Sequence, residues 1–142
     1  MTWKILISLL ALQSPYAQAV EATGKQKPVI ADTSSLQNNE LMYYTDGKYI
    51  TVKIKELNEV KFDAKCFKSE KNLKCDAYSA FKNQHPKKLT GDNLGSSYCK
   101  AVGGRNLIAL NQKRAEYNLC EFKDKSFFIS WTALVKAGVE SK

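Results

Sequence analysis

The sequence predicts a small α+β protein in which antiparallel strands dominate, with one or two short helices and stapling disulfides. Three observations support this fold class. Residues 49–55 alternate between apolar and polar side chains, as a half-buried strand does. Residues 93–104 combine a capping side chain, helical apolar spacing and a glycine pair. The chain also has four cysteines, an even number that suits disulfide pairing in an exported protein.

The first 19 residues have the pattern of a secretory signal peptide. Lys4 provides a positive charge, residues 5–12 (ILISLLAL) form the apolar stretch, and residues 17–19 (AQA) match the small-x-small cleavage pattern. A membrane anchor would need about 20 apolar residues. We therefore expect cleavage after Ala19, a periplasmic or secreted protein, and no transmembrane segment after cleavage. Residues 20–40 are polar and aperiodic, which predicts a flexible leader.

Residues 41–84 are predicted to be rich in β-hairpins. A turn signal at residues 46–47 (DG) precedes the alternating strand, and a second strand is expected over residues 60–68. The side chains expected to face the core are Ile50, Val52 and Ile54, followed by Val60, Phe62, Ala64 and Cys66. Residues 81–89 (FKNQHPKKL) are expected to be a connector, because the X-Pro pair within them favours an extended chain.

Four cysteines allow three pairings, and the second hairpin favours one of them. With residues 70–71 as its two-residue loop, Cys66 stands opposite Cys75. Opposed Cβ atoms lie about 4.5–5.5 Å apart, close to what a disulfide needs. Choosing this pair leaves Cys99–Cys120, which would tie a helix to a strand. The alternative, a zinc site, needs close ligand pairs, whereas the intervals here are 8, 23 and 20 residues. We expect neither a metal nor a cofactor.

A helix-plus-hairpin unit is predicted over residues 88–138. Asp92 or Asn93 can cap a short helix, and the glycine pair at residues 103–104 can end it. Strands are expected over residues 106–111, 116–122 and 127–129, with a last short helix over residues 131–137. Ser130 would cap that helix and Gly138 would close it.

Residues 93–134 of this unit resemble a known bacterial family. The residues that carry the resemblance are Asn93, Ser96, Tyr98-Cys99, Gly103-Gly104, Asn111, Tyr117, Cys120, Phe122, Asp124, Ser126 and Trp131-Thr132-Ala133-Leu134. They are similar to the pattern N-P-A-S-x-Y-C, G-G, Y-x-x-C-x-F-x-D-G-S and W-A-L of domain-of-unknown-function family 333, some members of which carry a hemolysin label. Leu94-Gly95 and Lys125 depart from that pattern.

The resemblance implies an exported protein or lipoprotein of a bacterial envelope. It supports the Cys99–Cys120 pair and implies no catalytic residues. Ile129 stands where many family members have a further cysteine, so that additional disulfide is not expected. The hemolysin label carries little weight, because no long amphipathic or apolar stretch follows the signal peptide.

The charge composition favours an anionic partner. The chain has 22 Lys and Arg residues against 14 Asp and Glu, for a formal net charge of +8. Such a charge attracts anionic lipid, lipopolysaccharide or cell-wall polymer. The candidate anion-binding residues are Lys53, Lys55, Lys65 and Lys74 in the predicted hairpins. The open alternative is an ordinary solvated surface. Nucleic acid is not expected, because its readers mix arginine and aromatic residues with their lysines.

No catalytic set is recognisable in the sequence. Nucleophilic catalysis needs a base beside a serine or thiol, and the single histidine, His85, lies in the predicted connector. Carboxylate catalysis needs two convergent acids, for which Glu116 with Glu121 or Asp63 with Asp76 could be nominated, although such acids usually serve solvation. We expect a non-catalytic envelope protein of unknown specific function. The alternative is an inhibitor of an acidic secreted or periplasmic hydrolase.

Overall fold

This computed structural model describes residues 31–141 of the chain. They contain ten short strands, three α-helices and one 3₁₀ turn. In chain order they are β1 (Glu40–Thr45), β2 (Lys48–Leu57), β3 (Val60–Asp63), the 3₁₀ turn (Ala64–Cys66), β4 (Phe67–Ser69), β5 (Asn72–Leu73), α1 (Asp76–Asn83), β6 (Lys88–Leu89), α2 (Leu94–Ala101), β7 (Arg105–Leu110), β8 (Glu116–Glu121), β9 (Phe127–Ile129), α3 (Ser130–Ala137) and β10 (Glu140–Ser141). The predicted signal peptide and residues 20–30 of the predicted leader lie outside the described residues.

Six strands close into an antiparallel barrel in the order β1-β2-β3-β9-β8-β7. The α+β, β-rich, disulfide-bonded class predicted from the sequence is confirmed at this level, whereas the barrel itself was not predicted. Three barrel strands come from the hairpin-rich segment at residues 41–84 and three from the unit at residues 88–138. Strands from both predicted segments therefore form a single closed sheet.

The barrel interior holds one hydrophobic core. As predicted, Ile50, Val52 and Ile54 of β2 point into it. The other residues of this core are Leu41, Tyr43, Leu107, Ala109, Tyr117, Leu119, Phe127 and Ile129. In each strand they alternate with outward residues, because successive side chains of a strand point to opposite faces.

A second core lies between the outer face of the barrel and the helices. Its centre is Phe128, which is fully buried on the outward side of β9. Around the Phe128 ring lie those of Phe62, Phe81, Tyr98 and Phe122, with centroid distances of 5.5–6.4 Å. Val60, Phe62 and Cys66, predicted to be inward residues, are indeed buried, but in this outer core rather than inside the barrel.

The strand predicted over residues 60–68 is interrupted after Asp63. The Asp63 side chain accepts the backbone N–H of Lys65 at 2.9 Å and opens the 3₁₀ turn, a local bond that competes with strand pairing. Beyond it, β4 and β5 form the predicted hairpin, with Ser69 opposite Asn72. The predicted two-residue loop would put Lys68 opposite Leu73, but a bulge places Phe67 there instead. The Cys66–Cys75 disulfide is confirmed, with Cα atoms 5.2 Å apart.

Helix α1 occupies residues assigned from sequence to the hairpin segment and the connector, so that assignment was wrong here. Its first amides donate to a cysteine sulfur, which is not a usual capping group, and to an acidic residue far along the chain. The Tyr78 N–H donates to the disulfide sulfur of Cys75, the helix cap, at 3.4 Å. The Asp76 N–H donates to Asp124 Oδ2 at 2.9 Å, across 48 residues of sequence. Capping from so far along the chain explains why the helix was missed.

Helix α2 agrees with its prediction. Asn93 Oδ1 accepts the backbone N–H of Ser96 at 2.9 Å, which caps the helix. Gly103 follows the helix with φ +80°, a left-handed conformation that glycine adopts without strain. The Cys99–Cys120 disulfide is also confirmed and ties α2 to β8, with Cα atoms 5.3 Å apart.

Helix α3 also forms, but its predicted cap is wrong. Ser130 is the first helical residue, and its buried hydroxyl has no hydrogen-bond partner among the described residues. Ile129 precedes the helix without a side-chain cap, because β9 runs directly into α3. Gly138 closes the helix in the left-handed region, as predicted.

Residues 31–39 pack against the barrel, although they belong to the predicted flexible leader. Ala31, Thr33 and Leu36 are buried. The Thr33 hydroxyl donates to the Gln112 carbonyl at 3.2 Å. Scattered apolar residues can be buried in this way without any helical or strand periodicity, which is why the pattern suggested a flexible chain.

Candidate functional site

Two of the predicted anion-binding lysines, Lys53 and Lys55, extend from the outer face of β2. Lys53 Nζ lies 3.8 Å from Glu40 Oε1 on the neighbouring strand. Lys55 Nζ lies 5.7 Å from the centroid of the Phe67 ring, a cation–π contact. Exposed contacts of these kinds contribute about 0–1 kcal/mol, so they do not prevent either lysine from binding an anion.

The other two, Lys65 and Lys74, are held at the Cys66–Cys75 disulfide. Each lysine immediately precedes one of the two cysteines, and both are exposed. The Lys74 N–H also donates to the Cys66 carbonyl at 2.8 Å. The disulfide thus fixes the backbone from which both side chains extend.

We call Lys53, Lys55, Lys65 and Lys74 the lysine surface. Lys65 and Lys74 directly precede the two disulfide cysteines, and Lys55 Nζ contacts the ring of Phe67, the residue after Cys66. Lys53 lies two residues away along β2, on the same outward face, where Glu40 offsets part of its charge.

A second cationic region surrounds one end of the barrel. This end, the mouth, is where β1 ends, β7 begins and β8 ends. Arg105 Nη2 donates to Glu121 Oε1 at 2.7 Å, and Lys125 Nζ lies 3.6 Å from the same oxygen. The bond to Glu121 raises the pKa of Arg105. Glu121 is buried, so its two cationic neighbours offset the cost of removing the carboxylate from water.

A shallow hollow of about 360 Å³ opens beside this ion pair. Its lining consists of Gly103, Gly104, Arg105, Glu121, Phe122, Lys123 and Lys125. Because Glu121 already engages Arg105 and Lys125, the hollow offers an anion less positive charge than its three cations suggest. The region was not predicted, since Arg105 and Lys125 are brought together only by the pairing of β7 with β8.

Two acidic side chains, those of Glu121 and Asp63, are buried inside the barrel. The Tyr43 hydroxyl donates to Glu121 Oε2 at 3.5 Å. Burial is the main cause that raises the pKa of Tyr43, and the charge of Glu121 is the next. Asp63 is only 1% exposed, and its Oδ2 has no hydrogen-bond partner among the described residues. Burial raises the pKa of Asp63 above its ordinary value of 3.8, although the N–H and charge of Lys65 act against the rise.

Of the two carboxylate pairs nominated from the sequence, Glu116 with Glu121 does not form, and the two members of the other differ in burial. Glu116 and Glu121 occupy opposite ends of β8, which places them about 17 Å apart along the strand. Asp63 is buried, whereas Asp76 is exposed in the first turn of α1. Carboxylates that share one glycosidic bond stand about 5–9.5 Å apart.

The remaining side chains considered from the sequence occupy ordinary positions. His85 is exposed, and its Nε2 lies 2.9 Å from the Lys82 carbonyl oxygen. Within residues 31–141 no group of three or more His, Cys, Asp and Glu side chains could hold a metal ion. In the same range no helix is long and apolar enough to cross a membrane.

An exposed apolar row crosses the outside of the barrel. Tyr49 of β2, Tyr44 of β1 and Ile108 of β7 lie side by side, because Tyr44 pairs with Tyr49 and the β1–β7 register brings Tyr44 next to Ile108. Their exposed fractions are 37%, 58% and 52%. The sequence contained part of the signal, since outward strand positions are usually polar. It could not place Tyr44 beside Ile108, which lies 64 residues further along the chain.

Two further apolar side chains, Trp131 and Val135, are exposed one turn apart on α3. They line a shallow hollow of about 540 Å³ with Glu59, Thr132 and Lys136. Lys136 Nζ is 2.8 Å from Glu59 Oε2, so the charge at this edge is paired.

The sequence matches no protein-family model, no curated protein and no solved structure. The resemblance of residues 93–134 to the family of unknown function therefore stays a prediction.

Proposed function

We propose that this protein is an exported, non-catalytic module that binds an anionic component of a bacterial envelope through the lysine surface. The observation that carries the proposal is the position of Lys55, Lys65 and Lys74 around one disulfide and one aromatic ring. The disulfide limits the backbone freedom of Lys65 and Lys74, and strand pairing with β3 limits that of Lys55, so less entropy is lost when these side chains engage a ligand.

Two further features support export and this partner class. The N-terminal pattern is that of a secretory signal peptide, and two disulfides suit an oxidising compartment. The net charge is +8 for the whole chain and +7 once Lys4 is removed with the predicted signal peptide, which favours approach to anionic surfaces.

The experiment removes four positive charges from one of two different places on the surface and compares the effects. One variant changes Lys53, Lys55, Lys65 and Lys74 to Gln. The matched control changes four other exposed lysines to Gln: Lys87, Lys88, Lys100 and Lys113. Both variants lose the same net charge. Binding to lipopolysaccharide, lipoteichoic acid and phosphatidylglycerol vesicles is then measured against salt concentration.

We expect the first variant to lose about 100-fold or more in affinity, since each lysine near an anionic surface contributes about 1 kcal/mol. The control should lose much less. Equal losses would mean that the lysine surface is an ordinary solvated surface and that only net charge matters. No binding by the native protein to any of the three materials would remove the proposal.

A further inference from the structure

The row of Tyr49, Tyr44 and Ile108 is the most exposed apolar part of the barrel wall among the described residues. Within residues 31–141 the helices pack mainly against β3, β7, β8 and β9, and the side chains of Tyr44, Tyr49 and Ile108 are exposed. Contiguous exposed apolar side chains on a small protein usually mark a surface that contacts a partner or a membrane. Tyr44 and Tyr49 also contact each other edge to face, with ring centroids 5.0 Å apart.

A second, half-buried row extends the apolar area. Met42 of β1 pairs with Leu110 of β7, directly beside the first row, and both are half-buried, whereas the neighbouring Thr51 of β2 is polar and exposed. The apolar area therefore has one row on three strands and a second row on two. Its acidic neighbours are Asp46 in the β1–β2 turn, Glu116, opposite Leu110, and Glu40, which pairs with Lys53.

The outward face of β2 joins this apolar area to the lysine surface. Its outward side chains, in order, are Tyr49, Thr51, Lys53 and Lys55. At about 3.3 Å per residue, the distance from Tyr49 to Lys55 is about 20 Å. One face of the barrel is thus apolar and aromatic at one end and cationic at the other.

We propose that this face lies on a lipid bilayer surface rich in anionic lipid, an inference that rests on the proposed function and narrows its partner class. Tyr44, Tyr49 and Ile108 enter the interfacial layer, where tyrosine is favoured because it has an apolar ring and a polar hydroxyl. The lysine surface meets the head-group phosphates. A soluble anionic polymer would use the lysines but gain nothing from the apolar row.

Charge also argues against a second copy of the chain as the occupant. A symmetric dimer through the apolar row would place two copies of Lys53 and Lys55 near one interface, where like charges repel. An anionic bilayer offers apolar contact and opposite charge together. Binding at an interface of this kind depends on both the buried apolar area and the attraction to anionic lipid.

The first test places a fluorescent reporter in the face. After the predicted cleavage the only tryptophan is Trp131, so the double variant Trp131→Phe, Tyr44→Trp reports from the apolar row alone. With mixed phosphatidylglycerol and phosphatidylcholine vesicles, we expect a blue shift and quenching by lipids with brominated chains. The native protein, which reports from Trp131 on α3, should show neither. The proposed orientation would be overturned if the protein bound vesicles but the fluorescence of the tryptophan at position 44 was not quenched. Quenching of the Trp131 fluorescence in the bound native protein would overturn it as well.

The second test compares two pairs of surface substitutions of the same chemical type. Tyr44→Ser with Ile108→Ser removes the apolar row, whereas Trp131→Ser with Val135→Ser removes the α3 patch. We expect the first pair to weaken vesicle binding about tenfold or more and to abolish the binding that persists in about 0.5 M salt, where charge attraction is screened. The second pair should bind as the native protein does. Circular dichroism and melting temperature confirm that both pairs fold.

A soluble polyanion, inorganic polyphosphate, separates the possible outcomes. The Tyr44 and Ile108 variant should bind polyphosphate as the native protein does. If it binds vesicles normally, or loses polyphosphate and vesicles together, the bilayer inference is wrong while the proposed anionic partner stands. If the native protein binds lipopolysaccharide, lipoteichoic acid or polyphosphate but not vesicles, the bilayer inference is wrong. If it binds none of lipopolysaccharide, lipoteichoic acid and vesicles, the proposed function itself is wrong.

Discussion

Gly104 lies directly against the sulfur of Cys120. A Cβ atom built on Gly104 would overlap Cys120 Sγ and stand 2.9 Å from Cys99 Sγ. The two glycines that follow α2 therefore have different roles. Gly103 supplies a left-handed backbone with open space around it, whereas Gly104 lets the chain pass close to the disulfide.

We predict that Gly104→Ala destabilises the protein more than Gly103→Ala does. Overpacking a filled site costs about 1–3 kcal/mol, and here the atoms in the way belong to a disulfide that cannot move aside freely. Gly103→Ala meets only backbone strain, about 1–2 kcal/mol for a left-handed residue. Urea denaturation measures both. A Gly104→Ala protein as stable as the native one would contradict the close approach.

The buried carboxyl group of Asp63 leads to a prediction about pH. Its folded-state pKa is raised by burial, so the folded state holds this proton more tightly than the unfolded chain does. Stability is therefore favoured at low pH and lost as the pH rises from about 3.8 through the folded pKa. We expect Asp63→Asn to raise stability at pH 7 by about 1–3 kcal/mol, since it removes an unpaired buried charge and retains the acceptor for the Lys65 N–H.

Asp124 provides the matched control with the opposite sign. Burial alone would raise its pKa, but hydrogen bonds from the Asp76 N–H and from Ser126 outweigh burial and lower it. This stabilisation is present above pH 3.8 and is lost as the pH falls through the lower folded pKa. Asp124→Asn should thus destabilise at pH 7. Thermal melts of both variants between pH 3 and pH 7 test the pair, and two shifts of the same sign would contradict the assignment.

Local features of this fold could be predicted from the sequence, because neighbours in the chain determine them. The alternation of Ile50, Val52 and Ile54 indicates a strand wherever it packs. The Asn93 cap and Gly103 delimit α2 within a dozen residues. The β4–β5 turn brought Cys66 opposite Cys75 closely enough to identify the disulfide, despite the bulge.

Features that depend on distant pairing could not be predicted. Closure of the barrel rests on β1 meeting β7 and β3 meeting β9, contacts that no local pattern encodes. The first amide of helix α1 donates to Asp124, and the apolar row is continuous because Tyr44 lies next to Ile108. The lysine surface was predicted as a set of residues, but its arrangement around one disulfide depends on tertiary structure.

The two disulfides predict how cysteine variants group. Cys66→Ser and Cys75→Ser should cost alike, about 2.5–3 kcal/mol, because either one opens a short loop. Cys99→Ser and Cys120→Ser should each cost about 3–3.5 kcal/mol, because the loop is longer. The double variant within a pair should add little to either single variant. The pairing would be contradicted if the costs within a pair were additive. It would also be contradicted if a thiol reagent labelled the unmutated protein after denaturation without reduction.

The fully buried Tyr98 leads to a prediction that runs against the usual cost of core mutations. Its hydroxyl has no hydrogen-bond partner among the described residues, and burial raises its pKa to about 12. Tyr98→Phe removes an unsatisfied polar atom and keeps the ring against Phe128, so we expect unchanged stability or a gain of about 1 kcal/mol. Tyr43→Phe makes the same chemical change where the hydroxyl does have an acceptor, Glu121, and should cost about 1 kcal/mol. Urea denaturation compares the two, and a large loss on Tyr98→Phe would mean that its hydroxyl has a partner, such as a buried water.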